Sequence, residues 1–349
     1  MIVDDGDKSL RRIKKPTLKD VARIAGVSVW TVSNAFSHPD KLKKETLEKI
    51  ISTSNSLRYI RNGAAAALVS RRTRIVAITV PTINNPLYSD VVAHTQKVLA
   101  EYNYYLLVSS HEYEYEREFG VIRSLVERGV DGFIILGSSQ EQRTYDLLNN
   151  RGVPYVLSLS YDESGNHHTV GFSNFEASYS MADMVARMGH RRVALCGGFH
   201  QFNERARDRE HGAVSALGNH GIKVPDGWKF QKPFSIDAGR QVFRELWSRV
   251  GKPTALICST DVQALGVLDE AKKHGISVPE DLSVTGFDNI EYAEISSPPL
   301  TTVRTPVIEI GVRSAMHLLD LINDKNPVLS ERLYTSIVRR ASLSAPGVG

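Results

Sequence analysis

The 349-residue sequence predicts an α/β protein: a small helical head carried in front of a larger body of two lobes with parallel sheets. Three observations carry that expectation. The stretch from Thr17 to Phe36, TLKDVARIAGVSVWTVSNAF, reads as helix, glycine turn, helix. From Arg74 onward, short apolar runs rich in β-branched and aromatic residues alternate with helical stretches, which is the pattern of a parallel sheet covered on both faces. The charge is also unevenly distributed. Residues 1–74 hold 16 Lys and Arg against 7 Asp and Glu, and the rest of the chain holds 27 against 32, so a basic head precedes a mildly acidic body within a net charge of +4.

Residues 1–16 are charged and aperiodic and are expected to form a disordered basic tail, with Arg11, Arg12, Lys14 and Lys15 available for loose phosphate contact. In the next segment Leu18, Val21, Ala22 and Ala25 fall at i, i+3, i+4 and i+7, the apolar face of a first helix, and Thr17 with Asp20 has the spacing of a capping box. Gly26 supplies the left-handed turn residue, and Ser28 is placed to cap a second helix. In that helix Val32 and Ala35 face inward, leaving Val29, Trp30, Thr31, Ser33 and Asn34 outward, a mixed polar and aromatic set suited to base edges and phosphates in a major groove. Pro39 and Asp40 mark a loop, and Leu47, Ile50, Ile51 and Leu57 give a third helix its apolar face. These helices make a DNA-binding domain over 17–61. Residues 62–73 form a linker whose alanine-rich part is only about two turns long, too short to be stable alone in water.

The body begins at residue 74. RIVAITVP, YYLLVSS, GFIILG and PYVLSLS are strand-like, and RRVALCGG, TALICS and LSVTGF repeat the plan, with helices expected at 174–188, 204–220, 237–249 and 261–274. Open α/β sheets bind ligands outside the carboxyl ends of their strands. Asp288 in TGFDN and Asp261 in STD each follow a strand at that edge, and Arg209 is placed to reach the cleft between the lobes. A carboxylate and a guanidinium converging there suit a ligand bearing hydroxyls or an anionic group, because both form paired hydrogen bonds.

Several function classes lack their signatures. There is no G-x-S-x-G, no phosphate loop, no G-x-G-x-x-G and no H-E-x-x-H, so catalysis is not indicated and no cofactor or metal is expected. His167 and His168 lie in a polar loop and are expected to be solvated. Cys196 and Cys258, far apart in apolar runs, read as plain core thiols. No apolar run approaches the ~18 residues of a membrane span and the amino terminus lacks a secretory signal, which points to a cytoplasmic protein.

The motif TLKDVARIAGVS..TVS resembles the amino-terminal signature of the lactose-repressor (LacI/GalR) family of bacterial transcription regulators. The similarity continues through LRYIRN, NNPLY, MGHRRVALCGG, TDVQALGVLDEAKKHGISVPEDLSVTGFDN and PPLTTVRTP, so it spans about Thr17 to Ser342. The resemblance implies a periplasmic-binding-protein-like body over 74–342. Its first lobe would comprise about 74–173 and 305–342, and its second about 174–304. It also implies a homodimer on a pseudo-palindromic operator, and a small-molecule effector, a sugar or sugar derivative, in the cleft. The DNA-contacting set would be Thr17, Ser28, Val29, Trp30, Thr31, Ser33, Asn34, Ser37, Tyr59, Asn62 and Leu68, with Leu68 as the minor-groove wedge of a hinge helix at 62–73. Tyr88, Arg209 and Asp288 would contact the effector, and Asp261 is expected to join them from its place after the strand TALIC. The chain departs from the family pattern in places. Arg61 replaces a frequent Pro, which leaves the start of the hinge looser, and Ala66 replaces a frequent Arg. Leu159 and Ser160 stand where many members carry Asp, and Trp30 stands where a polar side chain is usual. The alternative reading is a small-solute receptor with the same two-lobed body.

Overall fold

The computed structural model describes residues 15–61, 63, 67, 72–162, 165–201 and 203–347. Two compact units divide at Thr73 and Arg74.

In the first unit, α1 (Leu18–Ala25), α2 (Val29–Ser37) and α3 (Lys44–Ser56) enclose a core of Val21, Ala22, Ala25, Val32, Ala35 and Ile50. Local chemistry sets each end. The Thr17 side chain accepts from the Asp20 amide while the Asp20 carboxylate accepts from the Thr17 amide at 3.0 Å, a complete capping box. Gly26 ends α1 at φ 67°, and the Ser28 hydroxyl accepts from the Thr31 amide at 3.0 Å. One expected core residue moves outward. Ile51 is 37% exposed, and the inward stripe of α3 runs instead through Leu47, Ile50, Ser54 and Leu57. Ser54 can occupy that stripe because its hydroxyl donates to the Ile50 carbonyl at 2.8 Å, leaving no orphaned polar group.

The second unit holds two six-stranded sheets. The chain runs through β1 (Ile75–Val80), α4 (Pro86–Glu101), β2 (Tyr105–Ser110), α5 (Tyr115–Glu127), β3 (Gly132–Leu136), α6 (Gln142–Arg151), β4 (Tyr155–Ser158) and β5 (Thr169–Gly171) in the first lobe. It crosses into α7 (Asn174–Arg187), β6 (Val193–Gly197), α8 (Glu204–Asn219), β7 (Lys229–Gln231), α9 (Ile236–Trp247), β8 (Ala255–Cys258), α10 (Asp261–Lys273), β9 (Ser283–Asp288), α11 (Glu291–Ile295) and β10 (Thr301–Arg304). It then returns through α12 (Val307–Ile322) and β11 (Ser330–Arg332), and ends with β12 (Ser336–Val338). The sheet orders are β11-β5-β4-β3-β1-β2 and β12-β10-β9-β8-β6-β7. Apolar clusters cover both faces of each sheet, as near-continuous hydrophobic strands require.

The last stretch departs from the expected division. β12 pairs antiparallel with β10 in the second sheet, and the Ser342 hydroxyl donates to the Val284 carbonyl at 2.6 Å, so the chain crosses three times and its end belongs to the second lobe rather than the first. The physical reason is the exposed edge of β10, whose unpaired backbone groups a returning segment can satisfy. The two cysteines are buried neighbours in register on β6 and β8. His167 is half-buried and not simply solvated: its ring stacks on Tyr145 at 4.4 Å and Nδ1 lies 2.9 Å from the Tyr155 hydroxyl.

Candidate functional sites: a recognition helix and an interlobe cleft

The outer face of α2 is the first site. Trp30 is 71% exposed and Val29 is exposed beside it, while Thr31, Ser33 and Asn34 are half-buried on the same helix. The exposed indole takes no part in the core of this unit. Thr17 and Ser28 are at the surface, with their hydroxyls engaged in the two helix caps. Tyr59 is half-buried and packs on Phe36 with ring centroids 6.0 Å apart. Asn62 and Leu68, expected contacts of the hinge, lie outside the described residues, as does Ala66.

Arg61 does not behave as its replacement of a proline suggests. Its guanidinium donates to the Phe36 carbonyl at 3.1 Å and to the Ser37 hydroxyl at 2.6 Å. A cation on the last carbonyls of α2 also opposes the negative end of the helix dipole. The start of the linker is therefore tied to the recognition helix rather than loosened. Ser37, expected to face DNA, spends its hydroxyl on that tie.

The second site lies between the lobes, where the strand ends of both sheets meet. Tyr88 on α4, Arg205 and Arg209 on α8, Phe234, Thr260 and Asp288 line a small cavity. Arg209 is held from several sides. Its Nε donates to Asn174 Oδ1 at 2.8 Å, its Nη1 donates to the Ser259 carbonyl at 2.6 Å and lies 3.5 Å from Asp288 Oδ1, and the guanidinium stacks 3.7 Å from the Phe287 ring centroid. Asp288 has φ 115°, a backbone conformation that costs free energy for any residue with a Cβ, and such strain concentrates at ligand sites. Burial pushes its carboxyl up to about 6 against the pull of Arg209 and Arg205. Among the described residues, its Oδ2 has no hydrogen-bond partner, and neither has the Ser259 hydroxyl nearby. A buried carboxylate oxygen left unpaired beside a cavity is an open position for a ligand's donor.

Two of the four expected cleft residues, Arg209 and Asp288, are thus paired, and Tyr88 joins them, with its hydroxyl 3.2 Å from that of Tyr113. Asp261 is not among them. It is fully buried behind the cleft, with Oδ1 accepting from the Thr302 hydroxyl at 2.5 Å and Oδ2 accepting from the Ile290 amide at 2.8 Å. Burial, with the Asp288 charge adding to it, pushes its carboxyl up to about 8. As the first residue of α10 it turns inward to brace β10 and the segment after β9, and the preceding Thr260 lines the cavity. Asn174, Arg205, Phe234 and Thr260 were not foreseen. Only the neighbouring strand end TALICST marked Thr260, and nothing local marked the others.

Beyond the cavity, the first-lobe wall carries a second buried cluster. Glu118 accepts from Gln140 at 3.2 Å and lies 3.6 Å from His111. Burial pushes Glu118 up to about 7 and His111 down to about 4, with Arg205 and Arg117 adding to the latter. The wall that lacks the family's Asp receives Glu204 from the opposite lobe instead, hydrogen-bonded to Ser160.

A helix-turn-helix head with an exposed reading helix, joined to a two-lobed body with a polar cleft, defines a ligand-responsive DNA-binding protein. Residues 17–62 match the family described as bacterial regulatory proteins, lacI family, and residues 182–343 match the periplasmic binding protein-like domain. The chain is 29% identical to the HTH-type transcriptional repressor CytR of Escherichia coli strain K12 over 97% of its own length and 100% of that protein. It is 30% identical to the HTH-type transcriptional repressor PurR of Vibrio cholerae over 88% of this chain and 92% of that one. Among solved structures, a LacI-family transcriptional regulator from Silicibacter pomeroyi superposes with a TM-score of 0.85 at 26% identity, covering 94% of this chain and 99% of that one. The chain belongs to the LacI family of bacterial transcription regulators, and the solute-receptor alternative falls away. No helix among the described residues is long and apolar enough to cross a membrane.

Proposed function

We propose that this protein is a cytoplasmic repressor that binds a pseudo-palindromic operator as a homodimer and is controlled by a hydroxyl-bearing small molecule, a sugar or sugar derivative, in its interlobe cleft. The observation that carries the reading is the buried Arg209–Asp288 pair with an unpaired carboxylate oxygen beside a cavity, in the same chain as an exposed Trp30 on a capped recognition helix. Arg209 and Asp288 hold the ligand's hydroxyls, and Tyr88 packs against its ring. Trp30 and Asn34 read base edges, the indole's apolar face suiting a thymine methyl. Val29, Thr31, Ser33 and Tyr59 position the helix on the backbone, helped by Thr17, Ser28, Ser37 and Asn62 at its margins. Leu68 acts as the apolar wedge of the hinge. One helix-turn-helix reads one half-site, which makes a dimer the minimal unit. Enzymatic chemistry has no part in this reading. CytR and PurR are repressors by name, which supports repression here.

The test has two arms. Labelled genomic fragments retained by the protein are sequenced, and the enriched set contains an inverted repeat. A thermal-shift screen of metabolites then finds a ligand that stabilises the body by RT ln(1 + [L]/Kd) and changes fragment retention. Retention of random DNA as strong as that of any enriched fragment contradicts the operator; a screen in which no hydroxyl-bearing metabolite acts contradicts the effector.

A further inference from the structure

Two charged residues at the amino end of α8 stand where the lobes meet. Glu204 belongs to the second lobe, yet its Oε1 accepts from the Ser138 amide at 2.8 Å and from the Ser160 hydroxyl at 2.6 Å, both at the strand ends of the first lobe. Arg205 follows, its Nε 3.7 Å from Glu204 Oε1 and its guanidinium 6.0 Å from the ring centroid of first-lobe Tyr88. Both side chains are almost fully buried, at 10% and 8% exposure. The first lobe is shaped to receive them. Gly137, at φ 102°, leaves space that a Cβ would narrow to 3.1 Å from Glu204 Oε1 and 3.3 Å from Arg205 Nη2. Burial raises the Glu204 carboxyl, but Arg205 and the Ser160 and Ser138 hydrogen bonds outweigh it, and the group lies below its ordinary value. The carboxylate is therefore ionised where it bridges the lobes, and the hydrogen bonds it accepts are charge-assisted.

We propose that Glu204 is a cross-cleft tether that holds the two lobes in their closed orientation before any ligand arrives. It acts as a positioning residue for the effector response, a role that rests on the cleft being the effector site. Because the tether already favours the binding-competent orientation, the ligand meets a smaller population penalty, and removing the tether weakens ligand binding without removing a ligand contact.

The orientation is read without any ligand. Spin labels at Asn150→Cys and Lys273→Cys, exposed positions in the first and second lobes, report the interlobe distance by pulsed electron resonance. Labelled chains are diluted into unlabelled ones, and the native cysteines are buried. The otherwise unaltered chain gives a dominant closed distance with a minor open population. Glu204→Ala raises that open population roughly tenfold, on the scale of a charge-assisted hydrogen bond. Ser160→Ala, which alters only a first-lobe hydroxyl, shifts the distribution the same way by a smaller factor. Thermal unfolding of each variant checks that it folds. If Glu204→Ala lowers Tm but leaves the distances unchanged, Glu204 merely stabilises its own helix and the proposal is overturned. If Glu204→Ala fails to fold, an unchanged distribution in Ser160→Ala overturns it equally. A failure of the effector reading would appear separately, as an open population in Glu204→Ala that no metabolite draws back to the closed distance.

Discussion

The head and the cleft place their polar and apolar side chains in opposite ways. In the head, six small and medium apolar residues hold three short helices together, and the proposed base-reading residues stand on the outside, with Trp30 71% exposed. In the cleft, the proposed ligand and tether residues are the interior: Arg209, Asp288, Glu204 and Arg205 are all buried, in two charged pairs. A substitution on the outer face of α2 therefore changes what is bound while leaving folding largely intact. A substitution in the cleft alters the packing of the lobes together with the ligand, because a buried charge left without its partner keeps its desolvation cost.

The largest expected effect tests the cleft half of that contrast. Asp288→Ala removes one member of a buried charge pair and lowers effector affinity by about 2–5 kcal/mol, while ligand-free operator binding stays near normal. Calorimetry and fluorescence anisotropy on the same variant check both statements, and an unchanged effector response would remove Asp288 from the site. In the head, Asn34→Ala reduces discrimination between operator and random DNA by ~1–3 kcal/mol with no matching fall in Tm. Equal losses on both DNAs would show a phosphate contact instead.

Much of the head was legible because its determinants are local. Thr17, Gly26 and Ser28 act within four residues of their own positions, and the 3.6-residue period sends Val32 and Ala35 inward. Where a polar residue could pair locally the pattern misled, and Ser54 took the inward place expected of Ile51. The cleft was legible only in part. Arg209 and Asp288 stand out as polar residues beside apolar strands, but the inward turn at a helix start decides between Thr260 and Asp261, and one residue there exchanges cleft for core. Glu204 reaches Ser160 across 44 positions of sequence, and Asn174 reaches Arg209 across 35, so no local pattern marks them. β12 likewise depends on the free edge of β10, which exists only in the folded sheet.

The contrast also appears in pH dependence, which the cleft region should dominate. Asp261 and Glu118 titrate at about 8 and about 7 in the fold, against 3.8 and 4.5 as their ordinary values. Both folded values are raised, so between those limits the folded chain holds protons that the unfolded chain has released. These two groups make stability fall as pH rises toward 8, by at most about 1.4 kcal/mol per pH unit each, while His111, lowered to about 4, opposes them below its ordinary 6.5. Denaturant titrations from pH 5 to 8 should show a shallower decline in Asp261→Asn than in the parent chain, and identical slopes would contradict the assignment.

The smallest effect sharpens the head half. Arg61→Ala, and Arg61→Lys, which cannot reproduce the planar fork, should weaken operator binding by ~1 kcal/mol, with Ser37→Ala following in part. The salt dependence should stay as it was, since the tie is internal; a fall of about one in the slope of log K against log salt would make Arg61 a phosphate contact.

Linkage between cleft and operator is the central claim, and one titration reaches it most directly. Operator affinity is measured by anisotropy with and without the ligand found by thermal shift, in the parent chain and in Asp288→Ala. The expected result is a ligand-dependent change of at least about fivefold in the parent, typical of allosteric coupling, and none in the variant, with both binding operator alike when ligand-free. Identical operator affinity with and without bound ligand in the parent chain would contradict the account.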